Sequence, residues 1–184
     1  MMIQQETNAV ITFRKVDFEK DAVLLHQWHH EPHVIPFWHQ NFPFSQYAKH
    51  LKGLLSDRHQ TLWIGMMNGQ EMSYWETYWA KDDIIGRYYG AEPFDQGVHL
   101  LIGDTSYLGK GLAEPMLQSI MKQMFSDSRT ARIVAEPDSR NAKMIHVFKK
   151  CGFVPQKELN LPDKQALFLI CTREDFERRL TSGL

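Results

Sequence analysis

Val98-His99-Leu100-Leu101-Ile102-Gly103, followed shortly by Leu108-Gly109-Lys110-Gly111-Leu112-Ala113, is the stretch on which the reading of this chain turns. The first run has the composition of a β-strand. The second opens an amphipathic helix, because Leu112, Met116, Ile120 and Met124 recur every fourth residue and build one apolar stripe to about Phe125. Pro115 is compatible with that helix if it lies in the first turn, where a backbone N–H has no carbonyl to meet. Glycines let the backbone pass close to a bulky anion, and the first helical turn aims unpaired N–H groups at it. Strand, glycine loop and helix together therefore describe a phosphate cradle, with a plain strand-to-helix turn as the alternative. A P-loop is excluded, since Gly-x-x-x-x-Gly-Lys-[Ser/Thr] is absent. A dinucleotide fingerprint is incomplete.

Composition narrows the partners. The 184 residues are 43% hydrophobic and 12% aromatic, which suits one compact domain spanning residues 1–184. A net charge of −1 gives no global field toward nucleic acid or an anionic membrane. No window approaches the roughly 20 apolar residues of a membrane span. The start, Met1-Met2-Ile3-Gln4-Gln5-Glu6-Thr7-Asn8, lacks the pattern of a signal peptide, and the expected location is the cytoplasm. Two cysteines, Cys151 and Cys171, are too few for a disulfide scaffold and read as reduced and structural.

Outward from the loop, residues 10–16 read as a first strand. Asp17 or Asp21 caps a helix to about residue 30, with Ala22, Leu25 and Trp28 on its apolar face. Pro32 and Pro36 predict an irregular aromatic segment over 34–44, and Ser45 caps a second helix with Tyr47, Leu51, Leu54 and Leu55 inward. Asn68-Gly69 predicts a two-residue hairpin turn between strands at 61–67 and 70–78. Further strands are expected at 84–89, 97–103, 131–136, 153–157 and 166–171, and helices at 141–151 and from the capping box at Thr172. A mostly β first half followed by β–loop–α–β–α–β–β packs as a central mixed sheet flanked by helices.

The loop and its surroundings resemble the GNAT acyltransferase superfamily. Leu108-Gly109-Lys110-Gly111-Leu112-Ala113 aligns with that family's Gln/Arg-x-x-Gly-x-Gly/Ala, with Leu108 in place of the usual Gln or Arg. Asn141 and, at the expected spacing, Cys151-Gly152-Phe153 resemble its second signature, with Phe148 where the family often has the tyrosine that protonates the departing thiolate. The runs around His99, Gly109 and Glu136-Pro137-Asp138, with the aromatic segment and Trp75-Glu76-Thr77-Tyr78, look like the siderophore branch, which includes the N6-hydroxylysine acetyltransferases and mycobactin lysine N-acyltransferases. The resemblance implies an α/β (α+β) GNAT fold with a mostly antiparallel sheet splayed between strands 4 and 5. It also implies acetyl-CoA or a longer acyl-CoA as co-substrate. The cofactor would be held by Leu101, Ile102, Gly109, Lys110, Gly111, Leu112, Ala113, Asn141 and Phe148, with a strand-4 N–H near Leu101 meeting the oxyanion.

In that branch the counterparts of His99 and Asp138 are the catalytic pair. Acyl transfer to an amine needs a neutral nitrogen, a polarised carbonyl and a protonated leaving thiol, and a group titrating near neutrality suits the first task. Asp138 is expected as base or orienter and His99 as the contact to the nucleophile. A hydrogen-bonded core histidine and a helix cap are the plain alternatives. Glu76, Tyr78 and Trp38 are the candidate substrate contacts. His26, His29, His30 and His33 have helical spacing, but Pro32 interrupts them and no cysteine is near, so no metal is expected. The expected function is acyl-CoA-dependent N-acylation, by acetyl or a longer acyl group, of the side-chain hydroxylamine or amine of a lysine-like small molecule in hydroxamate siderophore synthesis. The alternatives are an aminoglycoside-type N-acetyltransferase and a non-catalytic acyl-CoA-binding module. Neither nucleic acid nor membrane is an expected partner, and the chain is expected to be a monomer or weak dimer.

Overall fold

The computed structural model describes residues 9–182; residues 1–8, read as lacking a signal-peptide pattern, lie outside the described residues. Strands β1 (Ile11–Lys15), β2 (Gln60–Met67), β3 (Gln70–Trp79), β4 (Gln96–Ile102), β5 (Arg132–Ala135), β6 (Val154–Asn160) and β7 (Gln165–Thr172) form one sheet in the order β1-β2-β3-β4-β5-β7-β6. Every neighbouring pair is antiparallel except β4 and β5. Those two are paired through Gln96↔Ile133 and Gly97↔Val134 and then part, which is the expected splay. The β2–β3 turn carries positive φ at Asn68 (51°) and Gly69 (78°), the conformation an Asn-Gly hairpin requires.

Helices cover both faces. On one, α4 (Ala113–Phe125) buries Met116, Leu117, Ile120, Met121 and Met124 against Trp75, Val98 and Leu100, joined by Phe148 of α5 (Ala142–Lys150) and Phe176 of α6 (Arg173–Ser182). On the other, α1 (Phe18–His29) and α3 (Phe44–Ser56) bury Leu25, Trp28, Tyr47 and Leu51 against Ile64, Tyr74 and Leu101. The strand alternation explains the division, since Leu100 and Leu101 project to opposite faces. Asp17 caps α1 by accepting the Lys20 N–H at 3.0 Å, whereas Asp21 is buried and holds Arg14 at 2.7 and 2.8 Å.

Several expectations are corrected. Residues 84–89 form no strand: Asp83 accepts the Ile85 N–H at 3.3 Å and starts a 3-10 turn, Ile84–Arg87. A local side-chain bond of this kind competes with ladder pairing, and β4 already fills the sheet position beside β3. Ser45 caps nothing, because α3 begins at Phe44 with Pro43 as its uncapped leading residue. Leu55 is exposed. The aromatic segment contains one helical turn, α2 (Ile35–Trp38), with Pro36 in its first turn. Among the described residues, no helix is long and apolar enough to cross a membrane. Cys151 and Cys171 are free and buried, and burial pushes both thiols up to about 12.

Candidate active site

A cavity of about 470 Å³ opens where β4 and β5 part. His99 enters it from β4 and Glu136 from the residue just past β5. Pro137 lacks a backbone N–H, which ends regular pairing there, yet its carbonyl still accepts the Leu167 N–H at 3.0 Å and keeps the segment along β7. Counting by twos places Glu76 and Tyr78 of β3, His99 of β4 and Glu136 on one sheet face.

These four side chains form one network, in which Glu76, Tyr78 and Glu136 are buried and His99 is partly open to the cavity. His99 Nδ1 lies 3.2 Å from Glu76, and its Nε2 contacts Glu136 directly. The Tyr78 hydroxyl donates to both Glu136 oxygens at 2.8 Å and lies 3.1 Å from His99 Nε2. Tyr74 donates to the second Glu76 oxygen at 3.1 Å. Burial opposes charge on the His99 ring, but the Glu136 and Glu76 carboxylates outweigh it and push the ring up to about 10. Burial likewise opposes both carboxylates, and the His99 charge outweighs it and holds them below the usual carboxylate range. His99 is thus an imidazolium at neutral pH.

Asp138 is placed differently from the expected pairing. It lines the same cavity, but its partner is Arg140, which donates through Nε at 3.0 Å, Nη2 at 2.8 Å and the backbone N–H at 2.9 Å. The Arg140 hydrogen bonds hold its carboxyl below the usual range. No His99–Asp138 hydrogen bond forms. Tyr78 is also outside the cavity wall, where it orients Glu136. Trp38 of α2 does line the cavity, edge-on to His99 at 6.3 Å between centroids.

The Leu101 N–H, expected to meet the oxyanion, is turned toward β3 instead. The Gly103 N–H donates to the Met72 carbonyl at 2.9 Å, so in the antiparallel β3–β4 register Leu101 and His99 also point their backbone groups at β3. The N–H groups of Leu100 and Ile102 therefore face the gap. Leu101 packs its side chain under α1 and α3, away from the cavity. The Ile102 carbonyl meets His33 Nε2 at 2.6 Å.

Gly109 and Gly111 adopt φ of 70° and 69°, and a Cβ at either would meet nothing within 4 Å. Lys110 is exposed, Leu112 leads into α4 without a side-chain cap, and Ala113 is its first residue. An open glycine loop before an uncapped helix start fits the diphosphate of coenzyme A. Residues 108–113 are not part of the cavity wall; Asn141, Met144 and Phe148 of the α5 region are. The Asn141 side chain accepts the Met144 N–H at 3.2 Å and so caps α5. Phe148 is buried edge-to-face against Phe153 at 4.9 Å.

No sequence motif marks the far end of the cavity. Asp57 and Asp83 grip His59 at 2.6 and 2.9 Å, with Asp82 and Arg87 alongside. In the sequence Glu136 stands out only within Glu136-Pro137-Asp138, although the alternation that aims His99 inward aims it too. Of the histidine quartet, His29 is fully buried, and the His26 and His30 rings lie 4.2 Å apart at a tilt of 52°. Among the described residues no group of three or more His, Cys, Asp or Glu is arranged to hold a metal ion.

A family model described as the acetyltransferase (GNAT) domain matches residues 17–161. The chain belongs to the GNAT acetyltransferase family. It is an acyltransferase, and its seven-stranded sheet is the GNAT fold. The N-hydroxyputrescine acetyltransferase of Acinetobacter baumannii is 32% identical over 163 residues, 89% of this chain and 78% of that protein. Other curated relatives are longer, and the chain spans 64% of one and 38% of another. The crystal structure of an uncharacterized protein from Bacillus halodurans is 55% identical, with a TM-score of 0.93 over 95% of this chain and 90% of that one. That of the aminoglycoside acetyltransferase AAC(6')-Ib in complex with coenzyme A is 26% identical, with a TM-score of 0.82 over 92% and 98% of the two chains. GNAT relatives of this fold thus bind coenzyme A.

Proposed function

We propose that this GNAT protein transfers an acyl group, in the first instance acetyl, from coenzyme A to the side-chain hydroxylamine or amine of a small lysine- or diamine-like acceptor in hydroxamate siderophore synthesis. The observation that carries this reading is the cavity at the β4–β5 splay, where His99 and Glu136 face one another and carboxylates predominate in the walls. A thioester seated in the splay would present its carbonyl to the gap-side N–H groups of Leu100 and Ile102, which stabilise the developing oxyanion. Across the cavity wall seven carboxylates (Asp57, Glu76, Asp82, Asp83, Glu136, Asp138 and Asp163) stand against Arg87, Lys164 and the His59 and His99 rings, so a cationic acceptor is drawn in. A hydroxylamine nitrogen is largely neutral already, and positioning then supplies much of the rate. The name of the Acinetobacter relative, with its hydroxylated diamine, supports the same acceptor chemistry.

The carboxylate-rich wall also favours a second reading, an aminoglycoside acceptor, which the likeness to AAC(6')-Ib supports. Incubation with acetyl-CoA and N6-hydroxylysine, N-hydroxyputrescine or kanamycin, following thiol release, separates the two. Release with a hydroxylamine is the expected result; release with kanamycin alone replaces the first reading by the second. Binding of coenzyme A without release for any amine leaves a non-catalytic binding module.

A further inference from the structure

Acyl transfer must dispose of two protons, one shed by the attacking nitrogen and one needed by the departing sulfur. Phe148 has no hydroxyl to give, and the cavity wall contains no tyrosine or cysteine among the described residues. Asp138 has both oxygens engaged by the Arg140 guanidinium, which does not give up a proton, whereas Glu136 is held by Tyr78 and by an imidazole that gives and takes one. What remains at the splay is His99 and Glu136, in direct contact across the gap. Tyr78 pins Glu136 in place, and Glu76 holds the other ring nitrogen.

Resting on the acyl-transfer reading of this site, we infer that Glu136 and His99 act as a coupled pair: Glu136 is the base for the acceptor nitrogen and His99 is the acid for the coenzyme A sulfur. The nitrogen lone pair forms the C–N bond, and the N–H proton passes to the Glu136 carboxylate. The C–S bond breaks with its electrons on sulfur, which takes the Nε2 proton of His99. The proton on Glu136 then crosses to Nε2, and the carboxylate–imidazolium pair is restored with amide and free thiol as products. Nothing external is consumed. Glu76 is a positioning residue, keeping Nδ1 protonated throughout the cycle. The titratable groups facing His99 are Glu76 and Tyr78 from β3 and Glu136 from the end of β5, α2 adds the uncharged Trp38 ring, and Lys164 in the cavity wall acts on Glu136 by its charge.

Two measurements test the pair. Nitrogen-15 NMR of the imidazole rings needs no acceptor: His99 should stay doubly protonated at pH 8 in the wild type, and its titration should move to lower pH in Glu76→Gln and further in Glu136→Gln. A wild-type His99 that titrates near the ordinary value of about 6.5 overturns the pair. In steady-state kinetics Glu136→Gln should lower kcat about 100-fold or more with KM for acetyl-CoA unchanged, while Asp138→Asn loses less than about tenfold. Glu76→Gln should move the alkaline limb of the kcat profile to lower pH, which a merely structural role would leave in place. A Glu136→Gln variant with wild-type kcat overturns the pair alone. A wild type that releases no thiol with any amine overturns the acyl-transfer reading instead.

Discussion

His29 and His99 carry the same imidazole and are held in opposite charge states by their surroundings. The His29 ring is sealed among Trp38, Tyr47 and Tyr74, with Nδ1 on the Leu25 carbonyl at 2.7 Å and Nε2 without a protein partner. Burial lowers its pKa to about 4. The folded chain therefore binds fewer protons here than the unfolded chain between pH 6.5 and about 4. The stability is present above the unfolded value and is lost as pH falls through that window, by roughly 3 kcal/mol for this group. Urea midpoints measured from pH 7 to pH 4 should fall accordingly, and His29→Gln should flatten the slope; an unchanged slope would assign it to the carboxylates. His99 has the reverse sign. Its contribution is complete below the unfolded value and declines as pH rises toward about 10.

Elements set how tightly these residues are held. Gly97 sits where β4 passes closest to Tyr78, and a Cβ there would stand 2.1 Å from the ring. The ring must move, and Tyr78 is what pins Glu136. Gly97→Ala is expected to cost about 1–3 kcal/mol and to lower kcat as well, as denaturant melts and thiol-release assays would read. At the start of α4 the outcome differs, because Gly111 has open space beyond its Cα and only its positive φ opposes a side chain. Gly111→Val should cost about 1–2 kcal/mol of stability. Titration calorimetry should show a much larger proportional loss of coenzyme A affinity, since the space is then filled. Equal losses in both would make the loop a plain turn.

At the scale of the whole molecule the two halves of the sheet share a short parallel seam, Gln96–Gly97 against Ile133–Val134. A ligand seated where that seam opens touches both halves and binds only the folded state. Coenzyme A at 100 times its Kd should then add about 2.7 kcal/mol of stability. The measurable outcome is a raised Tm in the wild type and little or no rise in Gly111→Val at the same concentration. A Tm indifferent to coenzyme A would remove the cradle from the molecule.

Features that depend on near neighbours in the chain were legible without coordinates. Asn68-Gly69 tolerates positive φ at both positions and so made its hairpin, and the Leu112–Met124 stripe made its helix because a 3.6-residue period leaves one apolar face. The Leu108–Ala113 loop and the Asn141 cap carried the family for the same reason, each being a local backbone requirement written in residue type. Residues 84–89 misled because an Asx bond at Asp83 outcompetes strand pairing where the sheet has no vacancy. Charge states and pairings were decided only in three dimensions. Arg140 takes Asp138, and β3 takes the Leu101 N–H. Glu136 and Glu76, distant in sequence, meet on one imidazole. The sequence determined the Asn68-Gly69 hairpin, the loop and the family, because periodicity and turn chemistry act over a few residues. Tertiary structure alone decided which carboxylate meets His99, because electrostatics and hydrogen bonding act through space, with no regard for separation along the chain.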